Sequence, residues 1–288
     1  MKKTPDLQNP IEALLQVAKD LRDPNGGCPW DLKQTHQSMA KHLVEETYEA
    51  IDAIYKLQEE DERTWGNLKE ELGDVLFQVI FQAQLASEKN KFTFQDIAKY
   101  MTEKLIFRHP HVYGDLQGVD SAEQVLQNWE KLKRTEREKK GLEKSMLDSI
   151  PNSMPALLKA LRMGQKVSRV HFDWQKEIHT KQDIEKKIQE ELTEWLKLLP
   201  TNFTEEVSNV EKAEEELGDL LFAISQMARK YGLDPERALQ KSNEKFRTRF
   251  RFMEKKFKDK LEKDELPSTE EWEAAWEEAK KEETKNRE

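Results

Sequence analysis

The 288-residue sequence contains few of the residues that disulfides, tight turns and membrane spans require. Its single cysteine, Cys28, excludes an intrachain disulfide framework and favours a reducing compartment. Ten glycines and ten prolines leave long stretches of good helix formers, and strand-like alternation is scarce. No stretch approaches the ~20 apolar residues of a membrane helix. We therefore expect an all-α protein that is soluble and cytoplasmic and has no membrane partner.

Basic residues are outnumbered too, because 48 Lys and Arg stand against 57 Asp and Glu, for a net charge of −9. A general nucleic-acid binder needs a basic stripe to replace counterions, so we expect no nucleic-acid partner. Charged residues make up 36% of the chain, which requires broad solvated faces. The length fits two domains of about 140 residues each.

One acidic pattern occurs twice in the chain. In each copy a Glu-x-x-Glu pair is followed by a Glu-x-x-Asp pair, and 25 residues separate the first Glu of one pair from the Glu of the next. The carboxylates are Glu46, Glu49, Glu71 and Asp74 in the first copy, and Glu191, Glu194, Glu216 and Asp219 in the second. This repeat predicts two tandem homologous helical-bundle domains.

The repeat also sets the predicted domain boundaries. We predict a first domain over residues 9–140, a linker over 141–152, a second domain over 153–280 and a frayed tail over 281–288. Each Leu-Gly-Asp segment is predicted to begin a helix at the centre of a bundle. Gly73 and Gly218 indicate that another helix or a ligand approaches closely at these positions. The alternative is that the duplication simply copied the glycine.

The carboxylate spacing predicts a metal site. Side chains three residues apart project from one helix face, and antiparallel packing of two such helices would gather four carboxylates. Grouped carboxylates repel one another, and a divalent cation converts that repulsion into binding. All-oxygen ligation favours Mg²⁺ or Mn²⁺ over zinc and leaves positions for phosphate oxygens. The competing interpretation is a solvated acidic helix face, which a duplication would also copy.

Basic residues at helical spacing suggest phosphate contacts. Lys245 and Arg249 lie four residues apart and could neutralise a triphosphate, although ordinary helix-surface pairing explains such a pair equally well. Other candidates for substrate binding are Lys104 and Arg108 in the first copy, and Lys166, Arg169 and Lys212 in the second. Trp276 is a candidate either for stacking on a base or for anchoring a helix.

With these residues the chain resembles MazG, the all-α nucleoside triphosphate pyrophosphohydrolase family, in its tandem-domain bacterial form. The resemblance rests on Glu45-Glu46-x-x-Glu49 with Glu71-x-x-Asp74, and on Glu190-Glu191-x-x-Glu194 with Glu216-x-x-Asp219. It implies Mg²⁺-dependent hydrolysis of NTPs and dNTPs to monophosphate and pyrophosphate in nucleotide-pool housecleaning, with Mn²⁺ as a possible substitute. It also implies a homodimer.

The resemblance assigns roles residue by residue. It makes the eight repeated carboxylates metal ligands, places Lys212, Lys245 and Arg249 on the triphosphate, and places Trp276 near the nucleotide. The first copy departs from this pattern at Asn67, which stands where the second copy has Lys212. We therefore expect the second copy to be the main catalytic domain. Its hypothetical mechanism uses a water oriented by Glu190 or by the metal.

Two other functions fit parts of the pattern. A di-iron carboxylate bundle normally needs Glu-x-x-His pairs, and neither acidic segment has a histidine at that offset. A non-catalytic, nucleotide-sensing helical adaptor would bind nucleotide and metal without releasing phosphate. The sequence leaves base preference, sugar preference and protein partners open.

Overall fold

The computed structural model of the protein describes residues 2–122, 124–125, 128–129, 132, 135, 145–174 and 180–285. Every regular element in these residues is a helix, which confirms the all-α prediction. None of the described helices is both long enough and apolar enough to cross a membrane. Contacts between Cα atoms divide the chain into two compact units, Met1–Glu136 and Arg137–Glu288.

The first unit is built around its longest helix. Its helices with described bounds are α1 (Pro10–Leu21), α2 (Pro29–Leu32), α3 (His36–Lys56), α4 (Glu62–Ser87), α5 (Phe94–Arg108) and α6 (Pro110–Tyr113). Helix α4 packs against α1, α3 and α5 and is therefore the central helix. Phe81 and Leu85 of α4 form a buried cluster with Met39 of α3.

Helices α3 and α4 form an antiparallel hairpin. Thr35 begins α3 with a capping box, and the Asp61 side chain accepts a hydrogen bond from the Arg63 N–H at the start of α4. The connection between the helices is only five residues long, 57–61, which favours antiparallel packing. In agreement, His36 Nδ1 in the first turn of α3 lies 2.6 Å from Gln82 Oε1 late in α4.

The second unit repeats this arrangement. Its helices are α7 (Ala156–Val167), α8 (Lys181–Leu198), α9 (Val210–Lys230), α10 (Pro235–Lys256), α11 (Lys258–Leu261) and α12 (Thr269–Lys285), with a 3₁₀ turn over Ser168–Val170 after α7. Helix α9 packs against α7, α8 and α10, just as α4 packs against α1, α3 and α5. The prediction of two tandem helical bundles is confirmed.

The two Leu-Gly-Asp segments lie inside helices and do not begin them, so that prediction is wrong. Helix α4 begins at Glu62 and α9 at Val210, because Asp61 and Asn209 cap the helices and the residues that follow are good helix formers. A Cβ atom added at Gly73 or Gly218 would meet nothing within 4 Å among the described residues. Close approach of another helix within the chain therefore does not explain these glycines.

Gly164, by contrast, is a site of close approach between helices. A Cβ atom there would lie 1.8 Å from Gln226 Oε1 and 2.6 Å from Arg229 Nε, both on α9. Gln226 is 2% exposed and donates from Nε2 to the Ala160 carbonyl at 2.9 Å, so its side chain has little freedom to move away. Gly164 thus allows α7 to pack closely on the central helix of the second unit.

Residues 281–285 of the predicted frayed tail lie in helix α12. Helix α12 continues through Lys285, because Glu283 accepts a hydrogen bond from Arg249 Nε at 2.8 Å and so ties this turn to α10. Residues 286–288 lie outside the described residues. So do residues 141–144 of the predicted linker, and the predicted domain boundaries therefore remain predictions.

Candidate functional site

The first acidic cluster forms where α3 faces α4. Glu46, Glu49 and Glu71 each offer a carboxylate oxygen, and these atoms lie within 4.8 Å of one another. Burial raises the pKa of the Glu46 carboxyl, and the charges of Asp74, Glu49 and Glu71 raise it further. Burial likewise raises the pKa of Glu71, with contributions from Glu49, Asp74 and Glu70. The structure thus brings three carboxylates together, with Asp74 close enough for its charge to act on them.

No ammonium or guanidinium group neutralises this first cluster within the described part of the chain. His42 Nδ1 lies 3.1 Å from Oε2 of Glu45, which precedes Glu46 in the chain and is not part of the cluster. Asn67 lies one turn before Glu71 and carries no charge. Glu46, Glu49 and Glu71 therefore face one another, with Asp74 nearby and no basic partner among the described residues.

A buried amide lies on the same face of α4. Gln78 follows Asp74 by four residues and Glu71 by seven, so the three side chains share one helix face. Gln78 is 6% exposed, and its Oε1 has no hydrogen-bond partner among the described residues. The corresponding position of the second copy is Ala223, so this oxygen belongs to the first copy only.

The second acidic cluster forms in the same way between α8 and α9. Oxygens of Glu191, Glu194 and Glu216 lie within 4.8 Å of one another. Glu191 and Glu216 are 5% and 7% exposed, whereas Glu194 is exposed. Asp219 lies one turn after Glu216 on α9 and is also exposed. The second cluster is therefore more deeply placed than the first.

Two lysines neutralise the second cluster. Lys187 Nζ lies 2.9 Å from Glu190 Oε1 and 2.6 Å from Glu191 Oε1. Lys212 Nζ lies 3.0 Å from Glu215 Oε2 and 2.7 Å from Glu216 Oε1. The hydrogen bonds to the glutamates raise the pKa of both lysines above the ordinary lysine value. Each buried glutamate thus has one ammonium partner on its own helix.

Lys187 is a residue that sequence reasoning missed. It stands four residues before Glu191, as Lys212 stands four residues before Glu216. That symmetry within the second copy was available in the sequence. Comparison between the two copies does not reveal this lysine, because His42 stands at the equivalent position of the first copy.

A second group of predicted residues gathers between α10 and α12. The Arg249 guanidinium lies 5.2 Å from the centre of the Trp276 ring, and its Nε donates to Glu283 Oε2 at 2.8 Å. Phe246 contacts Trp276 with ring centroids 5.4 Å apart and is 59% exposed. Lys245 is exposed on the same helix. These residues form an amphipathic surface of aromatic rings and positive charge, in which Trp276 is only partly buried.

The other predicted basic residues lie on helices that flank the central ones. Lys166 is in the last turn of α7, and Arg169 is in the 3₁₀ turn that follows. Lys104 and Arg108 lie on α5, where Lys104 Nζ is 5.9 Å from the centre of the Tyr100 ring. Because α7 and α5 pack against α9 and α4, these residues belong to the bundles that hold the acidic clusters.

The donor set of each cluster fits a hard divalent cation. All the gathered ligand atoms are carboxylate oxygens, and no histidine or cysteine belongs to either group within the described residues. Mg²⁺ and Mn²⁺ prefer oxygen donors, and Mg²⁺ usually keeps several waters beside one or two carboxylates. Three carboxylates within 4.8 Å can therefore hold such an ion and leave positions for phosphate oxygens.

Comparisons with known proteins agree with this geometry. The sequence profile of the "MazG nucleotide pyrophosphohydrolase domain" matches residues 34–113 and again residues 179–252, so it covers both acidic hairpins. The chain is 43% identical over 247 residues to the nucleoside triphosphate pyrophosphohydrolase of Escherichia coli K12, covering 86% of this chain and 88% of that protein.

Two further relatives extend over more of the chain. Identity to the "Nucleoside triphosphate pyrophosphohydrolase/pyrophosphatase MazG" of Thermotoga maritima is 42% over 271 residues, which covers 94% of this chain and 95% of that protein. Identity to protein YabN of Bacillus subtilis is 38% over 280 residues, 97% of this chain but 53% of YabN. The two profile matches and the extent of these alignments confirm the predicted family: the chain belongs to the MazG family of nucleotide pyrophosphohydrolases.

Proposed function

We propose that this enzyme hydrolyses nucleoside triphosphates, both NTPs and dNTPs, to the nucleoside monophosphate and pyrophosphate. The second copy is the catalytic domain, and its cofactor is Mg²⁺, for which Mn²⁺ substitutes. The observation that carries this proposal is the buried pair Glu191 and Glu216, each held by an ammonium group 2.6 to 2.7 Å away. A buried site with both carboxylates and lysines offers partners for a cation and for an anionic chain of phosphates.

In this proposal the carboxylates hold the cofactor. Glu191, Glu194, Glu216 and Asp219 are its ligands, and Glu191 and Glu216 are fixed in place by burial. When bound, the divalent cation supplies Lewis-acid polarisation of the phosphate oxygens and lowers the pKa of a bound water. The protein contributes a pair of helices that keeps oxygens of Glu191, Glu194 and Glu216 within 4.8 Å of one another before substrate arrives.

The remaining charged residues act on substrate and water. The Glu190 carboxylate is exposed and accepts a proton or orients a water that attacks the anhydride between the α and β phosphates. Lys187, which contacts Glu190, and Lys212, which contacts Glu216, stabilise negative charge on the phosphate chain as the anhydride bond breaks. If water attacks the α phosphorus, pyrophosphate leaves with the bridging oxygen. If water attacks the β phosphorus, the monophosphate leaves with the bridging oxygen and pyrophosphate keeps the water oxygen.

The nucleoside end is proposed to contact the Arg249–Trp276 surface. Arg249, with Lys245 on the same helix, provides positive charge, and the exposed ring of Phe246 lies beside Trp276. Aromatic rings and a guanidinium bind bases by stacking and phosphates by charge. Lys166 and Arg169 add positive charge from the end of α7. The first copy, with Lys104 and Arg108, is proposed to bind a cation without rapid turnover.

We also propose that the enzyme is a cytoplasmic homodimer that removes unwanted nucleotides from the pool. Support for the dimer comes from Leu221, Phe222 and Ile224, which follow Asp219 on α9 and remain 42–43% exposed. Large apolar side chains grouped beside a site are typical of an interface. A second copy of the chain is the proposed occupant. Light scattering of the purified protein tests this, since a monomer mass at micromolar concentration contradicts it.

The identity of the products tests the proposed reaction. Purified protein is incubated with dCTP and Mg²⁺, and the products are separated by anion-exchange chromatography. Monophosphate with pyrophosphate is the expected result. Diphosphate with orthophosphate would place cleavage at the γ phosphate and contradict the proposal. Absence of any product with each of the common NTPs and dNTPs, under Mg²⁺ and Mn²⁺ alike, would favour the nucleotide-sensing adaptor.

A further inference from the structure

The two acidic clusters differ in the charge that balances them. In the second copy the ammonium groups of Lys187 and Lys212 lie 2.6 Å and 2.7 Å from Oε1 of Glu191 and of Glu216. Each of these contacts occupies a carboxylate oxygen that a metal ion could use. In the first copy the corresponding positions are His42 and Asn67, and no ion pair joins an ammonium group to Glu46, Glu49 or Glu71 among the residues that the structure describes.

Helix stability alone does not account for the two lysines. In both pairs the lysine precedes its glutamate by four residues, and this order supports a helix less well than the reverse order does. The glutamates, however, are 5% and 7% exposed, and a carboxylate at that depth needs a counter-charge. Lys187 and Lys212 therefore act as internal cations of the second cluster while no metal is bound.

The carboxylates of the first cluster, by contrast, have no lysine partners among the described residues. Glu46, Glu49 and Glu71 converge within 4.8 Å without a basic partner in the described residues. On the same face of α4 lies Gln78, whose buried Oε1 has no donor. A hydrated cation neutralises the carboxylates, and its water ligands supply hydrogen-bond donors on this face of the helix.

We propose that the first copy binds a divalent cation without nucleotide, whereas the second copy takes up its cation only together with the triphosphate. The triphosphate oxygens accept hydrogen bonds from Lys187 and Lys212, which leave Glu191 and Glu216 and free their oxygens for the metal. Metal and nucleotide then favour each other's binding in the second copy, as linkage requires. This inference rests on the proposed metal assignment of both clusters.

Manganese binding to the full-length protein tests the inference. Free Mn²⁺ is measured by electron paramagnetic resonance, with and without the non-hydrolysable analogue α,β-methylene-ATP. Without nucleotide we expect one bound Mn²⁺ per chain, which the double variant Glu46→Gln/Glu49→Gln abolishes. With the analogue we expect a second bound Mn²⁺, which the variant Glu191→Gln/Glu194→Gln abolishes.

The lysines are tested by neutral replacement of similar length. In Lys187→Met/Lys212→Met we expect two Mn²⁺ per chain already without nucleotide. The control is Lys181→Met, because Lys181 lies on the same helix and pairs only with the exposed Glu185, at 4.0 Å; it should retain the wild-type pattern. The single variant Lys187→Met serves as a milder replacement if the double variant loses its helical circular dichroism.

Distinct results separate failure of this inference from failure of the proposed function. Two nucleotide-independent Mn²⁺ ions in the wild type would overturn the inference and leave the metal assignment intact. Lysine variants that keep one nucleotide-independent ion would also overturn it. No Mn²⁺ binding in any condition would overturn the metal assignment and, with it, the inference.

Discussion

Lys212 Nζ lies 2.7 Å from Oε1 of Glu216, and both side chains project from the same face of α9. This contact joins a residue proposed to hold phosphate to one proposed to hold metal. In the first copy Asn67 and Glu71 occupy these two positions, so the contact is lost. Two hairpins with the same backbone arrangement therefore have different electrostatics.

Replacement of Lys212 by Met should reduce kcat/KM by about 10- to 100-fold. A hydrogen bond to a charged group contributes roughly 1.5–3 kcal/mol, and the variant removes one from the phosphate chain. Lys187→Met should act in the same direction. The matched control is Lys181→Met, outside the cluster on α8, which should leave kcat/KM unchanged. Wild-type kinetics in both Lys187→Met and Lys212→Met would contradict a role for these ammonium groups.

The shape of the Arg249 side chain should matter as well as its charge. Arg249→Lys keeps the positive charge but loses the planar group that lies 5.2 Å from the Trp276 ring and donates to Glu283. We expect kcat/KM to fall about tenfold, by the loss of one charge-assisted hydrogen bond. Arg247→Lys is the control, since Arg247 is 63% exposed and pairs with Glu244 on the helix surface. Equal effects of the two substitutions would exclude a specific role for Arg249.

The helical glycines should respond oppositely to alanine. Gly73→Ala and Gly218→Ala should each raise the free energy of unfolding by about 0.5–1 kcal/mol, because both positions are helical and open. Gly164→Ala should lower it by roughly 1–3 kcal/mol, since the new methyl group would overlap Gln226. Urea denaturation followed by circular dichroism measures all three. Destabilisation by Gly218→Ala would indicate that something absent from the single chain occupies that space.

The first cluster should make stability depend on pH and on metal. The pKa values of Glu46 and Glu71 are raised, so the folded state binds more protons than the unfolded state near the ordinary carboxyl range. Their contribution to stability is therefore present below the unfolded pKa and is lost as the pH rises through the raised pKa values. Above the raised pKa values the charged side chains repel their neighbours.

Glu46→Gln or Glu71→Gln should accordingly raise the thermal unfolding midpoint by about 1–2 °C at pH 7 in a chelator. The difference from wild type should shrink as the pH falls through the raised pKa values and the two glutamates take up protons. Mg²⁺ should reverse the order, since only the wild type retains the full ligand set. Scanning calorimetry checks this, with Glu60→Gln in the exposed link before α4 as the control. A lower midpoint in chelator for both variants would contradict the predicted repulsion.

Helical periodicity and duplication predicted much of this architecture. The all-α class and the tandem bundles follow from spacing that any helix obeys, so Glu46, Glu49 and Glu71 met as expected. Helix boundaries were harder to predict from the sequence, because Asp61 and Asn209 act as caps only when the chain folds around them. Glu283 illustrates the same point, since its pairing with Arg249 depends on packing of α12 against α10.

The balance of charge in each acidic cluster depends on tertiary packing. Burial of Glu191 and Glu216, and hence their need for lysine partners, is not visible in a list of acidic residues. The same is true of Gln78, whose unpaired oxygen results from its depth in the first bundle. These features come from packing between helices, which a sequence pattern specifies only in part.

The most direct test of which copy carries the reaction compares Glu216→Gln with Glu71→Gln, the same substitution at the equivalent position of each copy. The products formed from dCTP and Mg²⁺ are quantified by anion-exchange chromatography, and circular dichroism verifies the helix content of both variants. We expect Glu216→Gln to lose at least about 100-fold in kcat, because it removes a metal ligand. We expect Glu71→Gln to release monophosphate and pyrophosphate at close to the wild-type rate. Normal turnover in a folded Glu216→Gln protein would contradict the central claim that the second copy carries the reaction.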